Sequence, residues 1–137
     1  MRHAYLIIAH NNWMQLKLLI QLLDNRNNDI YIHIDRKAYG YNIEELENLT
    51  LYSNVKVYSV FKNYWGSYNL VKIEIFLLNK AIKCNYSYYH LFSGMDLPIK
   101  SQRYIQKFFE KNKGKEFIHF VTDIRLNTDI EIWRRSA

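Results

Sequence analysis

Apolar and polar positions follow two rhythms along this chain. Residues 4–9, AYLIIA, are an unbroken apolar run, as in parallel strands buried on both faces. HNN follows, and Asn11 or Asn12 can cap a helix. Trp13, Leu16, Ile20 and Leu23 then recur at helical spacing, which predicts an amphipathic helix over 12–23. DNRNND at 24–29 is a polar turn. IYIHI at 30–34 predicts a second strand that delivers Asp35, Arg36 and Lys37 at its C-terminal end. A short helix is predicted over 42–49, and a strand rich in β-branched residues over 55–60. FKNYWGSYN reads as a loop, with Ser67 or Asn69 able to cap a helix over 69–83. That helix is apolar on two faces, one with Leu70, Ile73, Leu77 and Ala81, the other with Val71, Ile75, Leu78 and Ile82, so it is expected to be largely buried. YSYYHLF at 86–92 predicts the fourth strand and SGMDLP the turn after it. Ser101 caps a helix ending at Gly114, and EFIHFV at 116–121 predicts a fifth strand.

The order β-α-β-(α)-β-α-β-α-β predicts an α/β fold: a mostly parallel, doubly wound, Rossmann-like sheet with helices on both faces. Such sheets place their sites at the C-terminal ends of strands. Here those ends are AHNN, HIDRK, VFKNYWGS and SGMDLP, which hold most of the distinctive polar residues.

Composition narrows the partners. The 137 residues fit one domain, and 49% apolar content with 12 tyrosines argues against disorder. The net charge of +6 favours partners carrying phosphate: a nucleotide, a nucleic acid or an anionic membrane surface. The basic residues are scattered, so an interior phosphate site competes well with a nucleic-acid face. Cys84 is the single cysteine, which excludes an internal disulfide and a cysteine-based zinc cluster. The N-terminal apolar run is too short for a signal peptide or a membrane span. A cytoplasmic protein is expected, with room for peripheral contact at the inner face of a membrane.

Familiar motifs are few. Neither G-x-G-x-x-G nor G-x-x-x-x-G-K-S/T occurs, which argues against a dinucleotide dehydrogenase or a P-loop enzyme. His33 and Asp35 share a strand face, but two ligands without a third make a weak metal site. Asp35 either accepts hydrogen bonds from a ribose or base, or caps the next segment. Trp65 and Gly66 either stack on a ligand and let the backbone approach it, or anchor their loop; spacing alone favours the anchor. His10, His33, His90 and His119 read mainly as core or edge histidines. Ser93 lacks a nucleophile elbow. Tyr86, Tyr88 and Tyr89 read as core, since no RNP-like sequence or basic interleaving surrounds them.

Taken together and in order, YLIIAHNN, DIYIHIDRK, VYSVFKNYWGSYNLV, YYHLFSGMDLPIKS and KGKEFIHF resemble the Core-2/I-branching glycosyltransferase family, which also contains peptide O-xylosyltransferases. The resemblance covers about residues 3–121. It implies a GT-A-like fold whose first half binds a nucleotide sugar. It implies transfer of GlcNAc or xylose from a UDP-sugar, with inversion, to a glycan acceptor, without a metal cofactor and without nucleic acid as partner. By the resemblance, Ala9, His10, Asp35, Trp65 and Gly66 match positions that contact the uridine and sugar. Ser93, Gly94 and Asp96 fall where other GT-A enzymes carry the metal-binding Asp-x-Asp.

The family's base is a glutamate in the acceptor half. Glu110, Glu116 and Glu131 lie in the wrong segments for it, so by the resemblance the base is expected beyond Ala137, the last residue. The chain is therefore expected to be the donor half only, truncated before the acceptor half, and inactive in transfer by itself. Self-association is expected through faces the second half would cover, with Trp133 and residues 117–121 as candidates.

Overall fold

The computed structural model describes residues 2–64, 68–98 and 100–113, and the backbone of 133–135. Four strands make a parallel sheet: β1 (His3–Ala9), β2 (Asn28–Ile34), β3 (Val55–Tyr58) and β4 (Tyr88–Ser93). Their order is β3-β2-β1-β4, with every neighbouring pair parallel. The connection after β1 runs one way across the sheet and the connection after β3 returns past it. The order therefore reverses between β1 and β4, which is where ligands bind in open α/β sheets. In register, Ala9 faces Ile34 and Ile8 faces Ser93, so three strands end at one level.

The period of two splits each strand between layers. Tyr5, Ile7 and Ala9 of β1, with Ile30, Ile32 and Ile34 of β2, face α1 (Trp13–Leu23) through Leu16, Leu19, Ile20 and Leu23. α2 (Ile43–Glu47) adds Leu46 to this layer. On the opposite face, Ala4, Leu6 and Tyr31 meet Ile73, Leu77 and Ala81 of α3 (Asn69–Ala81). A single 3₁₀ turn, Ile82–Cys84, closes α3. α4 (Gln102–Lys111) sets Phe109 against His3, Tyr88 and His90, on the α1 side of the sheet. Helices thus cover both faces, as the alternation of elements predicts.

Local differences have physical causes. Asn12 stands at the N-cap of α1, but in a left-handed conformation with φ 55° and no capping bond from its side chain. Its amide donates instead toward Gln15 and Met95. β3 stops at Tyr58 rather than Val60, because the amides of Val60 and Phe61 donate to Nε2 of His33 at 3.2 and 3.1 Å. The helix predicted over 69–83 is not largely buried. One layer covers only its Ile73, Leu77 and Ala81 stripe, so Val71, Ile75, Leu78 and Ile82 face outward, and Leu70 is also exposed. Its N-cap is Tyr68, without a side-chain cap; Asn69 donates to the carbonyl of Lys62, and Ser67 lies outside the described residues. Ser101 and Asn42 cap α4 and α2 by accepting from Tyr104 and Glu45.

The SGMDLP turn contains a short strand, β5 (Asp96–Pro98), paired antiparallel with β6 (Trp133–Arg135), which the sequence pattern does not suggest. The strand predicted over 116–121 lies outside the described residues. Among the described residues, no helix is long and apolar enough to cross a membrane.

Candidate functional site at the C-terminal edge of the sheet

The strand-end residues singled out by sequence converge where the sheet reverses. Gly94 follows β4 and lies directly on the end of β1. Its amide donates to the carbonyl of Ile8 at 2.8 Å. A Cβ on Gly94 would stand 2.9 Å from Cβ of Ala9, closer than real side chains approach. Glycine is therefore needed here for close packing, not for an unusual φ. On the other side of β1, the amide of Asp35 donates to the carbonyl of Ala9 at 3.0 Å. Ala9 is thus flanked by both turns.

Each turn is shaped by its own acid. The Asp35 carboxylate is buried, and its Oδ1 accepts the Lys37 amide at 2.9 Å. Nζ of Lys37 stands 3.6 Å from Oδ2, and 4.1 Å from the centre of the Tyr64 ring. Asp96 accepts the Ser93 amide at 2.8 Å, and Ser93 Oγ accepts the Met95 amide at 3.1 Å. Both aspartates are side chains that organise their own turns.

A cleft of about 400 Å³ opens over the β1 and β2 ends, lined by His10, Asn11, Trp13, Asp35, Lys37, Ala38 and Tyr39. His10 and Asn11 are exposed at its mouth. Tyr39, 87% exposed, stands on a turn whose next residue, Gly40, has φ 85°. Nε1 of Trp13 donates to the Tyr39 carbonyl at 3.0 Å, and the Trp13 ring packs against Tyr41 at 5.0 Å. A larger hollow of about 660 Å³ lies along α4, lined by Tyr104, Lys107, Phe108, Glu110, Lys111 and Asn112. It contains no strand-end residue, so topology favours the smaller cleft.

Of the eight residues nominated from sequence, Ala9, His10, Asp35, Ser93, Gly94 and Asp96 gather at this edge. Trp65 and Gly66 lie outside the described residues. So do Glu116, Glu131 and Ala137, while Glu110 lines the α4 hollow instead of the strand-end cleft. Asp35 and Asp96 each accept a backbone amide of their own turn. His33 is turned away from ligand chemistry: its Nε2 is occupied by two backbone amides, and burial lowers its pKa against a smaller opposing pull from Asp35. Among the described residues, no three His, Cys, Asp or Glu side chains form a group that could hold a metal. Sequence reasoning missed Trp13 and Tyr39 as lining residues, because the helical period accounts for Trp13 as a core position. It also passed over Lys37, although the strand end that delivers it was marked.

A second polar cluster sits at the opposite edge. Nδ1 of His3 and Nε2 of His90 lie 2.8 Å apart, with Tyr5 stacked 4.6 Å from His90. Desolvation lowers both histidines, His3 to about 4 and His90 to about 3. This pair is a buried structural element, as the reading of His90 as a core histidine expects.

Comparison with known proteins yields a consistent set. The family model for the Core-2/I-Branching enzyme matches residues 3–131. A xylosyltransferase of Ciona intestinalis is 24% identical over 97% of this chain and 18% of its own length. Xylosyltransferase 2 of Canis lupus familiaris is 24% identical, and that of Bos taurus 23%, each over 85% of this chain and 14% of the relative. The chain therefore spans 14–18% of the length of these curated relatives.

Proposed function

The chain belongs to the Core-2/I-Branching enzyme family, and from that premise we propose that its C-terminal sheet edge is the donor site for glycosyl transfer from a UDP-sugar to a glycan hydroxyl. The observation that carries the reading is the meeting of Ala9, Asp35 and Gly94 at the point where the strand order reverses. The names of the relatives make UDP-xylose the first donor to try, with UDP-GlcNAc beside it.

In this reading the cleft beside Asp35 takes the nucleoside. The buried carboxylate accepts hydrogen bonds from it, and exposed Tyr39 offers a flat surface to a base. The Ser93–Asp96 turn borders the diphosphate and the transferred sugar. Where other GT-A enzymes carry two aspartates, this turn has one, and its carboxylate is engaged by the Ser93 amide. That supports donor binding without a divalent cation. Transfer is a single displacement: a carboxylate base removes the acceptor hydroxyl proton, the oxygen bonds to the anomeric carbon, and UDP departs with the electron pair of the broken bond. Positive side chains then stabilise the leaving diphosphate. Asp35 and Asp96 are not assigned as the base, since both shape turns.

The test is titration of the 137-residue chain with UDP, UDP-xylose and UDP-GlcNAc, read by melting temperature and tryptophan fluorescence, with and without EDTA. UDP should raise the melting temperature, EDTA should leave the shift unchanged, and Asp35→Ala should remove it. No shift with any uridine compound, or a salt-steep response to single-stranded DNA instead, would replace this reading with a nucleic-acid-binding module.

A further inference from the structure

The first turn of α1 touches both turns that flank the donor cleft. On one side, Trp13 Nε1 holds the Tyr39 carbonyl. On the other, Nε2 of Gln15 donates to the Met95 carbonyl at 2.6 Å, across 80 residues of sequence. Asn12, left-handed just before the helix, points its amide at the same turn, 3.7 Å from Sδ of Met95 and 3.4 Å from Oε1 of Gln15. Leu97 packs into the layer beneath α1. The two turns belong to separate strand ends, and this one helical turn bonds to both.

We propose that Trp13 and Gln15 are positioning residues that set the distance between the two walls of the donor site, with Gln15 holding the Ser93–Asp96 turn in register over Ala9. This rests on the donor-site reading above. The chemistry is specific. A side-chain donor of glutamine's length at the first turn reaches the Met95 carbonyl, whereas a carboxylate there would repel it. A turn freed from Gln15 still keeps its internal bonds, Asp96 to the Ser93 amide and Ser93 to the Met95 amide. It would therefore move as a unit, not unravel. The contact of Gly94 on Ala9 is the fulcrum of that movement.

The experiment uses chain labelled with ¹³C at the methionine methyls. The sequence has three methionines, Met1, Met14 and Met95, so the Met95 signal can be assigned by one substitution. UDP is titrated into wild type, Gln15→Leu and Trp13→Phe. Gln15→Leu should shift the Met95 methyl resonance in the free protein and weaken UDP binding about fivefold, the worth of one hydrogen bond. Trp13→Phe should weaken UDP similarly while leaving the Met95 resonance in place, because its bond goes to the other wall. UDP affinities within twofold of wild type in both variants would overturn the proposal. So would a melting-temperature loss that alone accounts for weaker binding, with no change at Met95 in Gln15→Leu. If wild type itself takes up no UDP, the donor-site reading falls, and the role in setting donor geometry falls with it. A Met95 shift in Gln15→Leu would then report only a brace within the fold.

Discussion

At the N-terminal edge of the sheet, buried polar side chains bond to one another across long stretches of sequence. At the C-terminal edge, Asp35, Ser93 and Asp96 bond to backbone amides two or three residues away. Asp29 shows the first pattern: its carboxylate accepts from Tyr86 at 2.6 Å, from Arg2 and from the Asn54 amide at 3.1 Å, while Tyr86 meets Tyr31 at 2.9 Å. Burial pushes the Tyr31 hydroxyl up to about 12, against an opposing pull from its hydrogen bond with Tyr86. Asn28 joins β2 to α4 through Gln102 and Gln106, and His3 joins β1 to β4 through His90. Such groups satisfy each other and tie β1, β2, β4 and α4 into one unit. The other edge spends Asp35, Ser93 and Asp96 on loop shape, and leaves His10, Asn11, Lys37 and Tyr39 exposed around a cleft. One edge therefore carries stability, and the other, in the proposed reading, is left open for recognition.

The hardest test of that division is Asp29→Ala. It leaves the buried Tyr86 hydroxyl and the Asn54 amide without their acceptor and Arg2 without its ion-pair partner, so about 3–5 kcal/mol should be lost in urea unfolding. UDP affinity of the folded protein should stay within twofold. A loss below about 1 kcal/mol would mean the lower network contributes little to stability.

Acid is the next lever. His3 and His90 are held neutral by burial, with pKa values of about 4 and 3 against 6.5 when unfolded. A depressed folded pKa means that the unfolded chain binds more protons as pH falls below 6.5. The full contribution is present above pH 6.5 and is lost on the way down to about pH 3–4. Each histidine should contribute up to about 1.4 kcal/mol of destabilisation per pH unit in that window. His33, lowered in the same direction, adds to it. Urea midpoints measured between pH 7.5 and 4.5 should fall steadily, and less steeply in His90→Gln. A flat profile would place the histidines in water.

Gly94→Ala should have the smallest effect on folding and a larger one on ligand. Overpacking against Ala9 costs about 1–3 kcal/mol, unless the turn shifts to relieve it. If the turn shifts to relieve the contact, the lower figure is expected, with UDP binding weakened more than tenfold. An unchanged affinity would detach this turn from the donor site.

Much of this was legible in the sequence, for reasons that can be named. Apolar runs such as AYLIIA and IYIHI mark strands buried on both faces, and the strand–helix alternation then gives the parallel sheet and points to its C-terminal edge as the place to look for a site. Asp35, Gly94 and Asp96 were visible because glycine and acids at strand ends stand out against apolar neighbours. The outward face of α3 was misjudged, since apolar residues on two faces do not reveal that only one layer packs against the helix. His3 paired with His90, and Gln15 paired with Met95, were out of reach, because no local spacing signals a bond across 87 or 80 residues. Trp13 was hidden by its own helical period.

The position of β1 also has a consequence for synthesis. Among the described strands β1 lies between β2 and β4, but its partner β4 begins 85 residues after it, His3 against Tyr88. At ribosomal speeds of about 5–20 residues per second, one side of an almost wholly apolar strand waits roughly 4–17 s for its neighbour. During that interval its backbone edge is open to any other strand, nascent or aggregated. The β1–β2 pair, only 25 residues apart, can form first and bury part of that surface against α1. The vulnerability of this fold in a crowded cell is thus one of timing, and it ends when residues 88–93 leave the ribosome.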